Sequence, residues 1–169
     1  MSQHCMKRVI DQMTFDDWDH VRAIYLEGIK SGDSTFETEA PSWEQWNEGH
    51  HEFARLVVRD GKKILGWAAL SPVSKRKVYR GVAELTVYVT ESARGQGIGR
   101  ALLEAVIGES ERNGIWTLQA SIFPENIASA KLHLRCGFRE VGRRERIATL
   151  NGVWRDTLLF ERRSKRVGV

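Results

Sequence analysis

Apolar residues along the chain switch between a helical and an alternating spacing, and the switches mark its elements. Residues 7–10 read as a short strand, and Thr14-Phe15-Asp16-Asp17 has the form of a capping box. It opens a helix with Trp18, Val21, Ile24, Tyr25 and Ile29 on one stripe, which stops near Gly32. A second box, Ser42-Trp43-Glu44-Gln45, begins a shorter helix around Trp46. The runs 55–59 and 63–70 flank Asp60-Gly61, a hairpin signal. In the strand 82–89, Ala83, Leu85, Val87 and Val89 share one face, and Glu84, Thr86 and Tyr88 the other.

A helix with Leu102, Leu103, Val106 and Ile107 then runs to an Asn113-Gly114 stop, and residues 116–123 return to strand. After Pro124, Glu125 and Asn126 comes a helix ending at Cys136-Gly137. Two strands, 139–149 and 154–160, close the chain around Asn151-Gly152, a type I′ turn pair. The order β α α β β β α β α β β predicts an α/β (α+β) fold, a mixed sheet with helices over both faces; topology alone names no function. No repeat, low-complexity tract or linker divides the chain. Residues 1–169 read as one domain, with a short tail at about 1–5 and a basic tail at 163–169.

Composition narrows the class. With 169 residues, 41% hydrophobic, 28% charged and 3 Pro, the chain is neither collagenous nor disordered. No window approaches the roughly 18 uninterrupted apolar residues of a membrane helix, and the start MSQHCMKRVID lacks the apolar stretch of a secretory signal. A cytoplasmic protein with no membrane partner is expected. Cys5 and Cys136 cannot build a disulfide framework and show no zinc-ligand spacing. His50 and His51 are adjacent, so on a helix they point about 100° apart and rarely chelate one ion. No metal is expected.

The net charge of +4 is unevenly spread: residues 1–60 hold 6 basic against 12 acidic side chains, and residues 61–169 hold 20 against 10. The basic part suits a phosphate-bearing cofactor, a nucleic acid or merely a solvated face. The 6 tryptophans are scattered rather than interleaved with basic residues, which fits a core or a subunit interface better than nucleic acid.

The segment Arg94-Gly95-Gln96-Gly97-Ile98-Gly99-Arg100 lies between a strand and a helix. Three glycines there leave backbone N–H groups uncovered at the positive end of the helix dipole, a cradle for a pyrophosphate. A dinucleotide-binding GxGxxG would need Gly where Arg100 stands, and a P-loop needs a Lys-Ser/Thr pair that is absent. The alternative is a glycine-rich turn without a ligand.

In this setting the sequence resembles a known family. Arg94-x-x-Gly97-x-Gly99, preceded by Glu84-Leu85-Thr86-Val87-Tyr88-Val89 and followed by Asn126-x-x-Ser129 and Cys136-Gly137-Phe138, is similar to the GNAT superfamily of N-acetyltransferases. The spans SGDSTFETEAPSW, GVAELTVYV, ARGQGIGRALLEAVI, IFPENIASAKLHLRCGFREVG and NGVWRDTLLFER resemble its phosphinothricin and methionine sulfoximine branch over nearly the whole chain. The resemblance implies a GNAT fold, with two parallel strands splaying apart to admit the pantetheine of acetyl-CoA, and acetyl transfer to a primary amine. It implies backbone contacts to the cofactor from Val87, Tyr88 and Val89, and a pyrophosphate loop from Arg94 and Gly95 through Gln96, Gly97, Ile98 and Gly99 to Arg100. Asn126 matches a pantetheine contact, and Ser129 and Arg135 are further cofactor candidates. Homodimers are common in this branch, so a homodimer is expected.

The chemistry needs a base to leave the amine neutral, a donor for the oxyanion and an acid for the departing thiolate. Glu84, mid-strand and on the face of Tyr88, is the candidate base; the alternative is a carboxylate satisfied by a basic neighbour. His133 shares a helical stripe with Asn126 and Ser129 and matches the family's second catalytic position, with its role as base, acid or structural group left open. Tyr88 is a second candidate acid, and the resemblance places the oxyanion donor at the N–H near Val87. A ping-pong nucleophile at Cys136 is disfavoured, because a free Cys at a helix end packs as a small hydrophobe.

For the acceptor, the resemblance points to Ser74, Lys75 and Arg76 as a grip on an amino-acid-like substrate, to Glu84, Leu85 and Thr86 as the opposite wall, and to Phe36 as a lid. The expected function is N-acetylation of a phosphinothricin, methionine sulfoximine or methionine sulfone type of amine by direct attack, giving resistance to toxic analogues. The alternatives are another amine, such as a protein N-terminus, lysine, polyamine or aminoglycoside, and a non-catalytic acyl-CoA sensor. An acidic groove would favour cationic acceptors, and Lys75, Arg76 and Lys77 of the loop argue against one.

Overall fold

The computed structural model describes residues 7–169. Cys5 and the expected N-terminal tail at 1–5 lie outside the described residues. Strand β1 (Val9–Gln12) is followed by a short 3-10 turn (Phe15–Asp17), α1 (Trp18–Ser31), α2 (Trp43–Gly49), β2 (Leu56–Asp60), β3 (Lys63–Pro72) and β4 (Val82–Val89). Helix α3 (Ile98–Arg112), β5 (Thr117–Ile122), α4 (Ile127–Arg135), β6 (Arg139–Leu150) and β7 (Val153–Arg163) complete the chain. The element order matches the apolar spacing; β1 begins two residues later than the pattern suggested.

The first turns are fixed by their caps. Ser42 Oγ accepts from Gln45 N at 3.2 Å while Gln45 Oε1 accepts from Ser42 N at 3.1 Å, the reciprocal box that starts α2. At the other box Asp17 Oδ2 accepts from Thr14 N at 2.9 Å, and the chain takes a 3-10 turn before α1. Gly32 at φ 75° ends α1 in the left-handed region that glycine enters without cost. Asn151 and Gly152 both have positive φ, as a type I′ hairpin turn requires.

The seven strands form one sheet in the order β1-β2-β3-β4-β5-β7-β6. All neighbours are antiparallel except β4 and β5. Two apolar cores sandwich the sheet. Leu102, Leu103 and Val106 of α3 pack on Ala68, Leu70, Ala83 and Leu85, while Val21 and Ile24 of α1 and Trp46 of α2 pack on Trp67 and Ala69. Covered on both faces, β3 is buried almost end to end. A register shift between Val58 and Arg59 brings Ile64 and Trp67, three residues apart, into one core.

The parallel pair positions the site. β4 and β5 pair only at Val82, Ala83 and Glu84, and both strands then continue unpaired with each other, to Val89 and Ile122. Past Glu84, β4 keeps its bonds to β3 but turns a free backbone edge toward the gap. Unpaired strand N–H and C=O groups need a partner, and an extended amide chain supplies one.

The expected C-terminal tail is not loose. β7 runs to Arg163, whose guanidinium donates to the carbonyls of Trp116, Ser164, Val167 and Gly168 and packs this segment against β5. Ser164 is buried, with its hydroxyl on Glu111.

Candidate active site

Two cavities open on the splayed strands. One, of about 680 Å³, is walled by Val87, Tyr88 and Val89 of β4, by Arg94, Gly95, Gly97, Ile98, Gly99 and Arg100, and by Asn126, Ser129 and Arg135 from α4 and its cap. Gly95 at φ 72° and Gly97 at φ 79° set the loop's shape. Gly97 caps α3 without a side chain, so the first-turn N–H groups stay available to an anion. A Cβ at Gly99 would sit 3.0 Å from Leu132 Cδ2, so that glycine lets α3 and α4 approach. Gln96 is not in the wall; its side chain is engaged with Arg8 and the Ser92 carbonyl. Glu27 of α1 steadies the approach to the loop, accepting from Thr90 Oγ1 at 3.0 Å and from Glu91 N at 2.8 Å.

The second cavity, of about 660 Å³, lies on the other side of the same strand residues. Glu84, Leu85, Thr86, His133 and Phe36 line it, and Val87, Tyr88, Asn126 and Ser129 line both cavities. Ser34 also lines both, so the two spaces meet at Val87–Tyr88, at the start of α4 and at the segment after α1.

At this junction each polar side chain has a defined state. Glu84 Oε2 accepts from Gln119 Nε2 at 3.0 Å on the last paired rung, and no cationic side chain pairs with it among the described residues. The carboxylate is not satisfied by a basic neighbour. His133 is 2% exposed and edge-on to Phe138; burial pushes its pKa down, against the opposing effect of its bond to Ser129. Its Nδ1 lies 2.8 Å from the Ser129 carbonyl, which can only accept, so Nδ1 carries the proton and Nε2 keeps its lone pair. Tyr88 stacks on Trp67 at 5.1 Å and packs against Gly28 so closely that a Cβ there would lie 2.4 Å from its ring. Burial, reinforced by Tyr25, holds the Tyr88 phenol far above the usual tyrosine range, so it stays protonated. Asn126 uses its side chain twice, as α4 cap to Ser129 N at 3.2 Å and as donor to the Asp33 carbonyl at 3.3 Å.

Ser74, Lys75 and Arg76, expected to grip the acceptor, do not line either cavity. The segment turns on itself: Ser74 Oγ accepts from Arg76 N at 3.2 Å, and the Arg76 guanidinium lies over the Tyr79 ring. Phe36, expected as a lid, lines the second cavity edge-on to Phe123 at 4.8 Å.

The Acetyltransferase (GNAT) family pattern matches residues 16–138. The phosphinothricin N-acetyltransferase of Alcaligenes faecalis is 32% identical over 94% of this chain and 82% of its own. The chain belongs to the GNAT acetyltransferase family. A Pseudomonas aeruginosa L-methionine sulfoximine/L-methionine sulfone acetyltransferase is 34% identical over 63% of this chain and 62% of its own. A GNAT phosphinothricin acetyltransferase structure from Sinorhizobium meliloti, in complex with AcCoA, superposes with TM-score 0.85 at 26% identity, covering 96% of this chain and 91% of that one. As a GNAT member this protein is an acetyl-CoA-dependent N-acetyltransferase, and its wall of glycine N–H groups, arginines and free strand edge fits that cosubstrate.

Several lining residues were not singled out in the sequence. Glu37 and Glu39 line the second cavity from the segment after α1, Gln45, Trp46 and the cap residue His50 from α2 and its end, Tyr25 from α1 and Trp67 from β3. Only the FETE alternation in residues 36–39 hinted at a patterned surface. The others are apolar-stripe or helix-end residues with no local signal of a cavity.

Proposed function

We propose that this acetyltransferase acetylates the primary amine of a small amino-acid-like substrate, of the phosphinothricin, methionine sulfoximine or methionine sulfone kind, by direct attack within a ternary complex. The observation that carries this is the meeting of two cavities across Val87 and Tyr88, with the unpaired Glu84 carboxylate on one side and the glycine cradle on the other.

Bound acetyl-CoA supplies an activated acyl group. Gly95, Gly97 and the first turn of α3, with Arg94, Arg100 and Arg135, hold the phosphates, and the edge of β4 past Glu84 pairs with the pantetheine. Glu84 accepts the proton of the acceptor ammonium, directly or through one water. The N–H near Val87 donates to the acyl carbonyl oxygen. Tyr88, kept protonated by its surroundings, returns a proton to the leaving sulfur, while His133 presents Nε2 as an acceptor that orients the amine or its water. A homodimer in the cytoplasm belongs to the same reading; Val141, Ile147, Val153 and Trp154, exposed on the β6–β7 hairpin, support pairing, and light scattering in solution tests it.

Free-thiol release from acetyl-CoA, measured with methionine sulfoximine, phosphinothricin, methionine sulfone and a panel of cationic amines, tests the proposal. Saturable release with the amino-acid analogues is expected. Release confined to cationic amines would overturn the acceptor class, and no release at all would overturn the reading.

A further inference from the structure

The acceptor cavity has apolar and neutral polar walls, and every formally charged side chain in them is a carboxylate. Glu84, half-buried, and Glu37 and Glu39, exposed, line it, and none of the three forms an ion pair among the described residues. No lysine or arginine lines it. Its two imidazoles add lone pairs instead of charge. His133, 98% buried, has Nδ1 committed to Ser129 and Nε2 without a protein partner. His50 has Nδ1 at 2.6 Å from the Trp46 carbonyl, so its proton also sits on Nδ1.

The nearest cations are spent elsewhere. Arg55 lies over the Trp46 ring, buried, donating to Asn47 and to the carbonyls of His50 and His51. Arg155 lies over Phe123, paired to Asp33 and Glu125 and donating to the Gly32 carbonyl. A phosphinate entering this space meets three carboxylates and no countercharge; an ammonium or amide finds acceptors on several sides.

We infer that the acceptor cavity selects by charge: it takes donor-rich amines of neutral or positive net charge and discriminates against the phosphinate of phosphinothricin, with Glu37 and Glu39 as the specificity-determining pair. This rests on the proposed acetylation of a small amine and adds the sign of the substrate. Both carboxylates are exposed, so the selection acts through an electrostatic field that salt screens.

The test compares kcat/KM for methionine sulfone carboxamide (net positive), methionine sulfone (neutral) and phosphinothricin (net negative), in wild type and in the Glu37→Gln/Glu39→Gln double variant. Differences in amine basicity among the substrates cancel when the same ratio is compared between the two proteins. In wild type the order follows charge, carboxamide first, and the carboxamide to phosphinothricin ratio falls on the order of 10-fold in the double variant and falls again in high salt. Circular dichroism confirms that the variant is folded. A wild-type preference for phosphinothricin, or a ratio that the double substitution leaves unchanged, overturns the inference while leaving the acetyltransferase reading intact. Silence with every acceptor overturns both.

Discussion

The donor and acceptor cavities share Val87, Tyr88, Asn126 and Ser129 yet are built on opposite principles. The donor side is backbone and positive charge: glycine N–H groups, a free strand edge, and Arg94, Arg100 and Arg135. The acceptor side is side chain and negative charge, drawn from three helices, four strands and the segment after α1. The contrast follows the chain itself, since the acidic residues 1–60 supply Glu37 and Glu39 to one and the basic remainder supplies the arginines of the other. A cosubstrate of constant structure can be held by backbone, which tolerates sequence change; a variable acceptor has to be read by side chains.

The largest expected effect breaks the donor side alone. Gly97→Trp places an indole in the proposed pyrophosphate cradle and forces a non-glycine residue to φ 79°, so acetyl-CoA affinity is expected to fall on the order of 100-fold or more while the protein stays folded. Calorimetry showing unchanged affinity would remove the cradle from the donor site. Next, Glu84→Gln keeps acetyl-CoA affinity and lowers turnover by about 10² at its optimum. Equal turnover at every pH would deny Glu84 the role of base.

A smaller effect separates the sides by pH. Burial lowers the pKa values of His50, His51 and His133, so the unfolded chain takes up protons first as pH falls below about 6.5, and stability present above that value is lost. The melting temperature should drop by roughly 2–4 °C for each kcal/mol lost, and His50→Gln should flatten the decline. A melting temperature flat across that window would mean that these imidazoles are not held neutral. Smallest of all, Arg76→Ala should leave kcat and KM within about 2-fold, because its guanidinium lies on Tyr79 away from both cavities. A large rise in acceptor KM would show that the loop reaches the acceptor cavity of a second copy.

What could be read in advance follows from how local each feature is. The capping box at Ser42, the turn at Asn151-Gly152 and the glycine cradle are written in consecutive residues, because helix starts and tight turns are decided within one turn of chain. The 3-10 turn after Thr14 and the two-residue delay of β1 were not legible, since sheet pairing with β2 sets where that strand begins. Glu84 was legible as a charge in mid-strand; its freedom from a basic partner was not, because only the fold shows that Gln119 stands opposite.

By itself, the sequence determined the order of elements, the two faces of β4, the anion cradle at the start of α3 and the division of charge between the two parts of the chain. Tertiary structure decided which of the charges meet. It brought Glu37, Glu39 and Glu84 into the wall of one cavity that Lys75 and Arg76 do not line, committed Arg155 to Asp33 and Glu125, and ended the β4–β5 pairing at Glu84. The physical reason is range: dihedral preferences and caps act over a few residues, whereas a cavity's charge is the sum of side chains brought together by packing across the whole sheet.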